Sequence, residues 1–124
     1  MLHRLRTDRG AAAVEFAFIA PVLVLLVVGI AEFGRAYNVQ NSLSAAAREG
    51  VRVMAIKNDA TMAQDAAINA APSVALARGD VAVSSLCRPG ADATVTITYQ
   101  FTMLTGLLGP NLTLTGTGVM RCGG

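Results

Sequence analysis

The most apolar stretch of the chain lies near its start. From Arg9 to Arg35 the sequence reads RGAAAVEFAFIAPVLVLLVVGIAEFGR, and Glu15 and Glu32 are the only charged residues between its two ends. The segment Ala11 to Ala31 has 21 residues. As a helix rising about 1.5 Å per residue, it would span roughly 31 Å, the thickness of the hydrocarbon core of a bilayer. The pattern therefore predicts a transmembrane segment over residues 11–31.

The helical pattern continues beyond this segment and becomes amphipathic. Apolar and small residues recur at three- and four-residue steps as far as Lys57, at Phe33, Ala36, Tyr37, Leu43, Ala47, Gly50, Val51 and Met54. Such spacing places them on one face of a helix. We expect one long helix over residues 11–57, whose apolar face packs against the C-terminal part of the chain. A contact with another subunit is the alternative use of that face.

The remaining residues, 58–124, predict a small α+β domain. Thr61 and Gln64 have capping-box spacing, which predicts a short alanine-rich helix that ends near Pro72. From Val81 onward the apolar residues alternate with polar ones, as in half-buried strands. Three strands are expected, over Val81 toward Cys87, Thr94 to Met103, and Leu112 to Met120. The predicted fold class is therefore α+β, with a long N-terminal helix packed against a small antiparallel sheet of three strands.

The sequence leaves two features of this sheet open, a possible disulfide and an apolar loop. Cys87 and Cys122 are the only cysteines, and in an up-down-up sheet the first and third strands end on the same side. The two cysteines could meet there in a disulfide, which an exported domain allows, if the chain bends past the end of the middle strand. Leu104, Leu107 and Leu108 make the second connection apolar. This loop could contact a partner or a membrane, or it could fold onto the core.

Composition and charge argue against several classes of function. The net charge of +2 is too small for a nucleic-acid footprint, and there is no Trp. The single histidine, His3, lies in the basic N-terminal flank. No phosphate loop, nucleophile elbow or metal-spaced cluster is present. We therefore expect no catalytic residues, no metal, no cofactor and no nucleic-acid partner.

The basic flank sets the expected orientation in the membrane. Residues 1–10, MLHRLRTDRG, carry three arginines against one aspartate. By the positive-inside rule, the N-terminus stays in the cytoplasm and the residues after the span are exported. The chain is expected to cross the cytoplasmic membrane once.

Glu15 has two interpretations. A carboxylate inside a membrane segment costs a few kcal/mol. Its position near a helix N-terminus, where the macrodipole favours an anion, would reduce that cost. Alternatively, cleavage after Gly10 would make Ala11 the first residue and Glu15 the fifth, followed by Phe16. A glycine, a carboxylate five positions on and a hydrophobic helix form the processing-site signature of the type IV pilin superfamily.

The segment from Arg9 to Ala55 resembles the TadE-like family of pseudopilins, which belong to tight-adherence (Flp) pilus systems. The matching strings are RGAAAVEF at residues 9–16, AP at 20–21, GIAEFGRA at 29–36 and AAREGVR at 46–52. The resemblance implies a pilin-like fold, a leader of residues 1–10, and cleavage between Gly10 and Ala11 by a prepilin peptidase. It also implies a minor structural role in assembling or presenting a pilus for surface adhesion.

The partners implied by the resemblance are membrane lipid, the prepilin peptidase, other pilin or pseudopilin subunits and the pilus assembly machinery. Cleavage would create a charged α-amino group in or near the apolar phase. Glu15 of a neighbouring subunit could pair with that group, and Phe16 belongs to the same assembly segment.

Two other interpretations stay open. The apolar run could be a secretory signal peptide cut after Ala31, because small residues occupy the positions before that bond. The chain could also be a single-span anchored envelope domain that binds a partner without polymerising. Only the pilin-like interpretation requires processing at Gly10.

Overall fold

The computed structural model describes residues 2–84, 86–106 and 109–123, with side chains from Asp8 onward. Two helices and three strands follow in chain order: α1 (Leu2–Lys57), α2 (Ala60–Ala70), β1 (Val81–Val83), β2 (Asp92–Thr102) and β3 (Asn111–Arg121). A 3₁₀ turn, Arg78–Asp80, precedes β1. The predicted α+β class, with a long helix and an antiparallel sheet, is confirmed. The helix begins at Leu2 instead of Ala11, so it runs through the predicted leader without a break.

The chain divides into two compact units, Met1–Gly34 and Arg35–Gly124. The first unit contains only the N-terminal part of α1. The second contains the rest of α1, the helix α2 and the whole sheet. All burial of large apolar side chains among the described residues takes place in the second unit.

The junction between α1 and α2 is set by two polar side chains. Asn58 ends α1 with a φ of 52°, a left-handed conformation that asparagine tolerates better than most residues. The carboxylate of Asp59 then accepts a hydrogen bond of 3.0 Å from the backbone N–H of Met62. Because Asp59 is the N-cap, the predicted capping box of Thr61 and Gln64 is wrong. The amide of Gln64 instead donates to the carbonyl oxygen of Val81 at 3.0 Å and ties α2 to the start of β1.

The sheet has the order β1-β2-β3 with antiparallel neighbours. Val81 pairs with Ile97, and Ile97 pairs with Gly116 on the other side. The first strand ends at Val83, earlier than the predicted run toward Cys87. Ser84 still donates its backbone N–H to the carbonyl oxygen of Thr94 at 2.9 Å, and further on the backbone N–H of Cys87 donates to the side-chain oxygen of Asn58 at 2.7 Å instead of to the sheet.

The core forms between the second half of α1, the alanine face of α2 and the inner face of the sheet. Its best-buried members are Leu43, Ala46, Ala47, Val51, Met54, Ala63, Ala67, Val81, Ala93, Val95 and Ile97. The expectation that the amphipathic face packs on the chain's own domain is confirmed from Leu43 to Met54. It fails for Tyr37, which lies on the same helix and is 68% exposed.

Two glycines allow α1 to lie directly on the third strand. A Cβ atom added to Gly116 would lie 2.6 Å from the carbonyl carbon and oxygen of Leu43. One added to Gly118 would lie 2.5 Å from the carbonyl oxygen of Ala47. Both obstacles are helix backbone, which cannot rotate away as a side chain can. The helix–sheet contact is therefore a contact between two backbones.

A disulfide closes one end of this unit. Cys87 and Cys122 are bonded, with 5.6 Å between their Cα atoms. They reach each other past the start of β2, where the backbone N–H of Cys122 donates to the carbonyl oxygen of Ala91 at 2.8 Å. Asn58 holds Cys87, and the N–H of Gly123 donates to the carbonyl oxygen of Ala55 at 3.3 Å. Both bonded segments are thus attached to the end of α1.

The close approach of α1 to β3 predicts that a single methyl group is harmful there. Gly116→Ala and Gly118→Ala should each lower the free energy of unfolding by about 1–3 kcal/mol, because the added carbon overpacks against helix backbone. Urea unfolding of the full chain in detergent, followed by tyrosine fluorescence, measures this change.

Gly79→Ala is the matched control for these variants. Gly79 has nothing within 4 Å of an added Cβ, and its φ does not require glycine. This variant should unfold at the wild-type urea concentration. Equal midpoints for all three variants would contradict the backbone contact.

Removal of the disulfide should also destabilise the second unit. The bond joins residues 35 positions apart, and a loop of that size gives roughly 4 kcal/mol in the chain-entropy model. The double variant Cys87→Ala/Cys122→Ala should show this loss in the same urea titration. Wild-type protein treated with a reductant should match the variant, and an unchanged midpoint in both samples would show that the bond does not stabilise the fold.

Candidate functional site

The predicted processing and assembly residues lie on two successive turns of α1. Gly10, Ala11, Glu15 and Phe16 are all helical and all exposed. A Cβ added to Gly10 would meet nothing within 4 Å. Among the described residues, none packs against the position of Gly10, and both residues of the Gly10–Ala11 bond are exposed.

Ala11 and Glu15 lie four residues apart, on one face of the helix. Their Cα atoms differ in height by about 6 Å, one helical turn. A positive charge at residue 11 and the carboxylate of Glu15 could therefore pair within one helix or between two adjacent helices. Among the described residues, nothing forms a hydrogen bond or ion pair with Glu15.

From Val14 to Ala31 the segment is apolar apart from Glu15, and none of its side chains is buried. Twelve large side chains from Val14 to Phe33 are each more than half exposed, with Phe18 highest at 76%. None of the most apolar 18-residue window is buried. An apolar surface of this size is not stable in water and needs lipid or protein around it. By length and composition, this part of α1 is a candidate membrane span.

Small and large side chains of this segment lie on different faces of the helix. Small residues recur at steps of four and three at Ala13, Ala17 and Ala20 and again at Ala31 and Gly34, while the larger Val24 and Val27 occupy the positions between them. Large ones follow the same steps at Phe16, Ile19, Leu23, Leu26, Ile30 and Phe33. Steps that average 3.5 residues keep each series on one side of a helix. In membranes, small residues let helix backbones approach one another closely.

The second unit brings together the other pair of predicted site residues, Cys87 and Cys122, in the disulfide described above. Among the residues that the structure describes, no group of three or more His, Cys, Asp or Glu side chains could hold a metal ion. Of the apolar loop between β2 and β3, Leu104 is 75% exposed, whereas Leu107 and Leu108 lie outside the described residues.

Sequence reasoning missed one feature of this unit. The guanidinium group of Arg35 lies over the ring of Phe101, 5.0 Å from its centroid. Beside it, a cleft of about 290 Å³ opens between the start of the unit's helix and the end of β2. No local motif marks this cleft, because it is assembled from α1, Ser73 and β2.

Comparison with known families gives one match. The family model for TadE-like protein matches residues 10–52. This confirms the resemblance over the predicted span and over most of the helix that packs under the sheet. The match associates the chain with tight-adherence pilus systems, whose TadE-like members are structural, pilus-associated proteins. Neither the curated proteins nor the solved structures gave a match.

Proposed function

We propose that this chain is a minor, pilin-like subunit of a tight-adherence pilus, made as a membrane-anchored precursor. Residues 1–10 are the leader, and a prepilin peptidase cuts between Gly10 and Ala11. The N-terminus faces the cytoplasm and residues 35–124 are exported. The subunit takes part in assembling or presenting the pilus, together with other pilin or pseudopilin subunits and the assembly machinery.

One observation supports this proposal above the others. The helix from Ala11 to Ala31 is apolar and none of its side chains is buried, yet it contains a carboxylate at the fifth position after a glycine. A plain membrane anchor gains nothing from Glu15, because an unpaired carboxylate opposes insertion. A subunit that must find a charged partner inside the membrane does gain from it.

The pairing of Glu15 acts mainly on register. A desolvated ion pair contributes little net stability, but removing one partner leaves a buried charge at a cost of about 3–5 kcal/mol. When two subunits pack in the correct register, the carboxylate of one meets the α-amino group at Ala11 of the other. In any other register both groups are left unpaired. Ala13, Ala17 and Ala20, on one side of the helix beside Glu15, would permit the close helix contact that this pairing needs.

Processing at Gly10 is the first step to test. Co-expression with a prepilin peptidase should give a membrane-fraction protein that starts at Ala11 and has lost the mass of its first ten residues. Gly10→Val should stay uncut, because a branched side chain replaces the small residue at the cleaved bond. Intact-mass measurement and N-terminal sequencing report both results.

Gly29→Val is the matched control. Gly29 lies on the same helix and, like Gly10, has open space around an added Cβ. This variant should be processed normally. A start at Glu32 would indicate an ordinary signal peptide, and an intact Met1 in the presence of an active peptidase would leave a signal anchor. Either outcome would overturn the pilin-like proposal.

Assembly tests the role of Glu15. Glu15→Gln should insert and be processed as wild type but should enter pilus complexes at least about 100-fold less, since an unpaired α-amino group costs about 3–5 kcal/mol. Crosslinking in the membrane fraction, followed by recovery of sheared pili, measures this loss. Glu49→Gln removes an exposed carboxylate that pairs with Arg52 at 3.5 Å on the same helix, and it should assemble normally. Normal assembly of Glu15→Gln would rule out the pairing.

A further inference from the structure

The cleft beside Arg35 is lined mainly by polar residues. Arg35 and Asn38 come from α1, Ser73 follows α2, and Tyr99 and Thr102 belong to the end of β2. All of them lie within the unit Arg35–Gly124. Arg35 is the one charged residue that lines the cleft, and no carboxylate does. The lining therefore carries one positive charge and no negative one, together with side chains that form hydrogen bonds.

The contact with Phe101 fixes the guanidinium group of Arg35. Phe101 is 3% exposed, so its ring is a fixed support for the cation that lies 5.0 Å from its centroid. A guanidinium group over a ring has five N–H donors, so donors remain for a ligand in the cleft. The contact with this ring is the interaction that positions the arginine at the cleft.

The chemistry of this lining selects a tetrahedral oxyanion. An arginine edge matches two oxygen atoms of a phosphate group. The hydroxyl and amide side chains of the other lining residues are of the types that complete such a site. A metal ion does not suit the cleft, because its one charged residue is a cation.

Position along the chain indicates the source of the phosphate. Arg35 follows Ala31, the end of the predicted span, by four residues, or about 6 Å of helix. Phe33 and Tyr37, two residues to either side, are 70% and 68% exposed. Exposed aromatic residues beside a span are typical of the membrane–water interface. Leu104, two residues after Thr102, is 75% exposed and gives the β2–β3 loop an apolar surface.

We propose that the Arg35 cleft binds the phosphate headgroup of a membrane phospholipid. The lipid's acyl chains then lie against exposed side chains of the same unit, Tyr37 and Leu104. The inference rests on the proposed function only for the membrane span, which makes phospholipid the nearest source of phosphate.

Native mass spectrometry of the full, uncut chain in a nonionic detergent tests this proposal. The probe is dioctanoyl phosphatidylglycerol. Arg35→Gln should bind it at least about tenfold more weakly, because a charge-assisted, two-pronged contact is lost. Arg35→Lys should bind with intermediate affinity, since a point charge replaces the fork.

Arg121→Gln is the matched control. It removes the same charge from an exposed residue at the other end of the β2–β3 ladder, where Arg121 lies opposite Asp92 in the strand register. Its affinity should stay within about twofold of wild type, as expected for a remote surface charge. Far-UV circular dichroism and thermal unfolding of each variant should match wild type, which separates loss of binding from loss of fold.

Two further probes separate the sources of binding. Dioctanoylglycerol, which lacks phosphate, should bind weakly and equally to wild type and Arg35→Gln. Inorganic phosphate should bind the wild type much more weakly than the lipid. Equal lipid binding by Arg35→Gln and wild type would overturn the proposal, and so would inorganic phosphate that binds as tightly as the lipid. Because the uncut chain is used, a failure of processing at Gly10 would sink the proposed function and leave this result unaffected.

Discussion

The structure depends on one constraint, which is that the first half of α1 cannot cover its own surface. The side chains from Val14 to Ala31 are apolar on every side, and none of their most apolar window is buried. A helix satisfies all its interior backbone hydrogen bonds without a partner, so it is the form in which such a segment can enter a bilayer alone. Glu15 is the exception within this surface. Lipid solvates its apolar neighbours well, but an unpaired carboxylate in lipid is costly. A protein partner for Glu15 removes that cost, which favours a pilus subunit over a simple membrane anchor.

The second half of the same helix covers the inner face of the sheet. A three-stranded sheet with an edge strand of three residues, Val81–Val83, is too small to bury its own inner face. Leu43, Val51 and Met54 of α1 provide that cover. The contact is tight because Gly116 and Gly118 remove two side chains from β3 and bring strand and helix backbones together. Glycine in a strand costs conformational entropy, and the disulfide between Cys87 and Cys122 offsets part of that cost by restricting the unfolded chain.

The fold could be predicted where periodicity acts over many residues. The long helix and the alternation in β2 are signals of this kind, and both were confirmed. The start of α2 at Asp59 was missed, because two residues near the break have cap chemistry and only the local backbone decides between them. The path of the chain after β1 was also missed, because the hydrogen bond from Cys87 to Asn58 joins distant segments. The Arg35 cleft was also missed, because stacking on Phe101 follows from how α1 crosses the sheet. Of the candidate site, the sequence supplied Gly10, Ala11, Glu15 and Phe16, whose significance is their order along the chain.

The extent of the family match separates the helix, which the family model covers, from the small domain that packs on it. Residues 10–52 contain the span and most of the helix face that lies under the sheet, and the match ends before the first strand. The matched part specifies an anchor and a surface of small and apolar residues, including Ala47 and Gly50. Any small sheet with bare backbone at the crossing could complete such a surface, as β3 does here. The Arg35 cleft draws its arginine from the matched helix and its hydroxyl groups from Ser73 and β2. Selectivity for a ligand at that cleft would therefore be set by the part of the chain that the family model leaves open, while the position of its charge is set by the shared helix.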